Sequence, residues 1–92
     1  KARRLAELEI RQACMELGEA RDRLLARQSI VEQAEKGLQV ADARYASGVG
    51  TQLEILDAQL LLLQAQTGLV AARRDQALAL VRLERSVGVL GE

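Results

Sequence analysis

Bulky and small residues of this chain each recur every seven positions on both sides of a glycine pair, and that repeat constrains the fold more than any other feature. Before the glycines the bulky positions are Ile10, Leu17, Leu24, Val31, Leu38 and Tyr45, and the small ones are Ala13, Ala20, Ala34 and Ala41, with Arg27 interrupting the small series. After them the bulky positions are Ile55, Leu62, Leu69, Leu83 and Leu90, and the small ones are Ala58, Ala65, Ala72, Ala79 and Ser86, with Gln76 interrupting the bulky series. A strict seven-residue apolar seam predicts a left-handed coiled coil, because a small under-winding of each helix keeps the seam facing its partner. Ser47-Gly48-Val49-Gly50-Thr51 lies between the two stretches and predicts the turn. Gly48 suits the left-handed position that ends a helix, and Thr51 with Glu54 reads as a capping box that starts the next.

The expected fold is all-α, a long antiparallel two-helix coiled-coil hairpin over residues 1–92. Helix one spans about 2–46, the turn 47–51 and helix two about 52–88. A first helix of that span would extend roughly 69 Å at about 1.5 Å per residue. Composition agrees, since there is no proline, Tyr45 is the only aromatic residue, and alanine, leucine, glutamate, glutamine and arginine dominate. These residues lose little on entering a helix, whereas sheets favour aromatic and β-branched ones. A chain of 92 residues builds only a small core, so its stability depends partly on neighbours. It begins at Lys1 without methionine or an apolar leader, which reads as a fragment of a longer chain.

In an antiparallel pair the numbers of facing residues add to a constant. A constant of 103 sets bulky against small residues, Ala34 against Leu69 and Ala13 against Leu90, and places Arg27 opposite Gln76 in one polar layer. The alternative constant of 96 leaves Arg27 facing Leu69. Outside the seam, Glu7 and Arg11, Glu19 and Arg23, and Glu32 and Lys36 stand four apart with the acid first, an order that favours ion pairs on a solvated helix face. In helix two, Leu56, Leu60, Leu63 and Val70 form a second apolar stripe that one partner helix cannot cover, and this predicts burial against another hairpin of the same chain or another subunit. Glu54, Asp57, Gln59, Gln64 and Gln66 break that region into apolar runs much shorter than the ~20 residues of a membrane span.

Thirteen basic residues balance thirteen acidic ones with their signs interspersed, so no nucleic-acid partner is expected. With no histidine and one cysteine there is no usual metal-ligand set, and Cys14 reads as a small residue at the buried edge of the seam. No phosphate loop, nucleophile elbow or acid-base constellation is present, so the expectation is of a protein without catalytic, cofactor-binding or metal residues and not an enzyme.

Arg44-Tyr45-Ala46-Ser47-Gly48-Val49-Gly50-Thr51-Gln52-Leu53-Glu54-Ile55-Leu56-Asp57-Ala58-Gln59 resembles the periplasmic tip of TolC-like outer-membrane efflux channels, which carry Arg-Tyr, a glycine and Leu-Asp-Ala-Gln at this spacing. The likeness continues through Ala65-Gln66, Leu69 and Arg73 to Leu83 and Gly88, while upstream of Arg44 it rests mainly on heptads. The resemblance implies a homotrimer whose membrane β-barrel continues into a periplasmic α-helical barrel of twelve helices, of which this hairpin is a part. It also implies that Gly48, Val49, Gly50 and Thr51 dock a periplasmic adaptor protein, and through it an inner-membrane pump, in efflux or type I secretion. Tyr45 and Asp57 match positions that constrict the channel entrance, although Tyr45 fits the last bulky layer somewhat better and Asp57 equally suits the start of a helix. Gly50 departs from the best-known member, which has an arginine of its entrance network there. Two other readings are a helical hairpin of the adaptor itself and a structural spacer coiled coil.

Overall fold

A computed structural model describes the backbone of residues 2–91 and the side chains of residues 3–88. It is an all-α hairpin of two helices, α1 (Ala2–Ala46) and α2 (Gln52–Gly91). The residues fall into two units, Lys1–Leu24 with Ala71–Glu92, and Leu25–Val70.

Burial follows the heptads within each unit. In the first, Ala6, Ala13, Ala20, Ala72 and Ala79 are buried, with Ala20 only 1% exposed, and Ile10, Leu17, Leu24 and Leu83 are half-buried around them. In the second, Val31, Ala41 and Ala65 are buried and Leu38, Ile55, Leu62 and Leu69 are half-buried. The most deeply buried side chains are therefore alanines, because a methyl group lets two helix backbones approach until little water reaches between them, while larger neighbours close the sides. Tyr45, placed by its spacing in the last bulky layer, is exposed instead, since α1 ends one residue later.

The helix ends are made as the residues dictate. Gly48 has φ +82°, a conformation that a Cβ disfavours. Its amide donates to the Tyr45 carbonyl at 3.1 Å and the Val49 amide to the Arg44 carbonyl at 3.0 Å, the paired bonds of a Schellman stop. At the other side of the turn, the Glu54 amide donates to Thr51 Oγ1 at 3.2 Å. Only that half of the expected capping box forms, because the Glu54 carboxylate turns to Arg44.

Register differs from the 103 expectation. A Cβ on Gly68 would lie 3.0 Å from Arg27 Nη1 and 3.4 Å from Arg27 Cδ and Cζ, so Arg27 lies against α2 beside Leu69 and not opposite Gln76. Ala34 lines a groove with Ala58 and Leu61, not with Leu69. The two cross-helix ion pairs, Glu16 with Arg82 and Arg44 with Glu54, agree, since the residue numbers of each add to 98. Ala46 and Gln52, which flank the turn, also add to 98. A five-residue turn therefore holds the facing constant near 96, one heptad below 103, and the higher value would need α1 to continue through Gly48. The pairing expected of Leu90 falls outside the described side chains.

Three further expectations change. Cys14 is exposed, because it follows the buried Ala13 by one residue and a helix turns about 100° per residue. Among the described residues, Glu7, Glu19 and Glu32 form no ion pair with their i+4 partners, and the pairs that do form link α1 to α2. Long solvated side chains gain little by such pairing and lose rotamer freedom. Within Gln52–Gly88 of α2, one 18-residue stretch reaches a mean hydropathy of 1.3, so by length and composition the helix is apolar enough to cross a membrane. Counted as consecutive apolar residues, the same region gives only short runs. Hydropathy averages over the whole helix circumference, however, whereas one stripe of α2 is the alanine seam that packs on α1. A second is formed by Leu53, Leu56, Leu60, Leu63 and Val70, all more than half exposed. One apolar stripe of α2 is thus covered by α1 and the other is left exposed.

Candidate functional site

The turn end of the second unit gathers the motif residues. Arg44 is its centre: its carbonyl accepts from the amides of Val49 at 3.0 Å and Gly50 at 2.9 Å. Its Nε donates to Glu54 Oε2 at 3.2 Å, and its Nη2 donates to the Val49 carbonyl at 3.5 Å. Helix α1 thus ends with a base and α2 begins with an acid, each complementing the partial charge of its helix terminus, and the two close on each other across the turn. Ser47 Oγ caps the same helix end by donating to the Ala43 carbonyl at 2.8 Å.

Among the expected docking residues, Gly48 supplies the reversal, and Gly50 supplies space. A Cβ at Gly50 would stand 2.9 Å from the Tyr45 amide nitrogen, from Arg44 Cβ and from Glu54 Oε2, closer than real contacts allow. Thr51 caps α2. Val49 contributes the apolar surface, being 67% exposed, on a loop whose amide and carbonyl are both held by Arg44.

The expected entrance residues are not brought together. Tyr45 lines a groove with Gln52, Ile55, Leu56 and Gln59, and its hydroxyl accepts from Gln52 Nε2 at 3.2 Å. Asp57 lines a different groove with Val40, Ala41, Arg44 and Leu61, and no residue is shared between the two. Sequence reasoning missed Gln52 as the partner of Tyr45, and it took Glu54 for a cap and nothing more. A signal for the Glu54 contact was present: an acid in the first turn of one helix and a base in the last turn of the other straddle a glycine turn.

The family model for outer membrane efflux proteins matches residues 1–89. The chain belongs to that family. The match covers the first helix as well, where the sequence offered little beyond heptads. No curated protein and no solved structure matches it. An outer membrane efflux protein is a channel for transport, and that role needs a wall, a lumen and contact surfaces. This hairpin has one closed alanine seam, a second apolar stripe on α2 still exposed, and a turn from which Val49 projects.

Proposed function

We propose that this chain is a periplasmic hairpin in the helical tunnel of a trimeric outer-membrane channel, and that its turn docks the adaptor protein of a tripartite efflux or type I secretion system. The observation that supports docking most directly is Val49, an apolar side chain 67% exposed at the apex of a turn whose backbone is fixed by Arg44 and whose neighbours on both sides are glycines. A small, pre-ordered surface of this kind binds with little further loss of conformational entropy. The open stripe of α2 is where neighbouring hairpins of the tunnel lie. Tyr45 and Asp57 line separate grooves of this hairpin, so a constriction built from them is made between hairpins and not within one.

Replacing Gly48 and Gly50 with bulky residues in the full-length channel tests the docking role. Adaptor co-purification and export should be lost while the trimer still assembles; undiminished export would sink the assignment. The adaptor-hairpin reading predicts instead that the flanking sequence encodes lipoyl-like β segments and not the amphipathic strands of roughly 10 residues that a barrel needs.

A further inference from the structure

We infer that Arg44 and Glu54 are positioning residues for docking: their ion pair, absent from the motif reading of the tip, sets the pose in which Val49 is offered to the partner. The inference rests on the docking role proposed above. Three observations converge on it. The guanidinium of Arg44 divides its donors between the Glu54 carboxylate at 3.2 Å and the Val49 carbonyl at 3.5 Å. The Arg44 carbonyl holds the amides of Val49 and Gly50, so both peptide groups of Val49 are tied to one residue of α1. Glu54 Oε2 passes so close to the turn that a Cβ at residue 50 would come within 2.9 Å of it, and glycine is what leaves the pair its path.

Both side chains of the pair are substantially solvent-exposed, at 50% and 41%, and pairs of that kind contribute little to global stability. The consequence of this one is local. The hairpin is already closed by the Schellman bonds and by the alanine seam, so what the clip removes is the rocking of a single peptide unit and the apolar side chain it carries. Arginine suits this task because its fork addresses a carbonyl and a carboxylate together, which the point charge of lysine does less well.

The test uses the full-length channel and the purified adaptor protein of its own export system, with binding measured for Arg44→Gln, Glu54→Gln and the double variant. Each single change should weaken binding by about two- to fivefold, the range an exposed ion pair supports, and the double variant should be no weaker than the weaker single, since both remove one interaction. Exchanging the charges in Arg44→Glu with Glu54→Arg should recover part of the loss. Losses that multiply in the double variant would mean that Arg44 meets the partner itself, and unchanged binding in both singles would mean that the clip sets nothing; either overturns the inference. Val49→Asp separates this from the docking role. If Val49→Asp binds normally, the docking role fails, whereas loss with Val49→Asp beside indifferent Arg44 and Glu54 variants sinks the positioning role alone.

Discussion

Two glycines of α2 and its leading turn make way for arginines of α1, and they do so for opposite reasons. At Gly50 an added Cβ would meet a backbone nitrogen and a Cβ, Tyr45 N and Arg44 Cβ, both at 2.9 Å. Those atoms belong to the end of a helix and have nowhere to go. At Gly68 an added Cβ would meet the far end of a flexible side chain, with Arg27 Nη1 at 3.0 Å. Arg27 is an exposed residue, and the end of its long side chain can swing away by a few tenths of an ångström. The same residue type facing the same residue type is thus a requirement at the turn and a convenience in the middle of the helix. Distance alone does not separate them; the stiffness of the atom at the end of the distance does.

The largest expected effect comes from Gly50→Ala. Relief of the overlap requires the turn to open, and strain of this kind costs about 1–3 kcal/mol, seen as a lowered midpoint in thermal unfolding followed by circular dichroism. A variant that melts like the parent would show that the turn is as yielding as the Arg27 contact and would dissolve the contrast. Gly48→Ala should cost less, about 1–2 kcal/mol, from holding a Cβ at φ +82°, with no clash to relieve, since nothing lies within 4 Å of that position. Gly68→Ala should come out neutral or stabilising by up to about 1 kcal/mol, because alanine is the better helix former and the guanidinium yields. Placing Gly68→Ala on an Arg27→Ala background removes even the small displacement, so the gain in melting midpoint should be at least as large there. A loss in the first case with a gain in the second would show that Arg27 is held more firmly than its exposure implies.

The turn illustrates how much of the site could be read from residues alone. Gly48 as the left-handed stop and Thr51 as the cap follow from local chemistry, and the hydrogen bonds are those that chemistry requires. Glu54 was legible only in part, since a glutamate three residues after a threonine promises a bond to the cap amide, and the nearness of Arg44 redirected it. Residues 44 and 54 belong to different helices, and a local rule carries no information about a partner delivered by the reversal of the chain. Gln52 and Tyr45 were missed for the same reason. The exposure of Cys14, by contrast, follows from counting around the helix from Ala13, and was available in the sequence.

By itself the sequence determined that two helices form, where the chain reverses, and which residues enter the seam: alanines at seven-residue spacing are the side chains found most buried. Register was settled by the turn and not by the heptads. A heptad repeat looks the same after a shift of seven residues, so pairings with constants of 96 and 103 place bulky residues against small ones about equally well, and the pattern cannot choose between them. Closure of the turn breaks that symmetry. Once Gly48 stops α1 after Ala46 and Thr51 caps α2 before Gln52, the reversal of the chain brings Arg44 to Glu54 and Tyr45 to Gln52, partners that only the folded turn supplies because they belong to different helices.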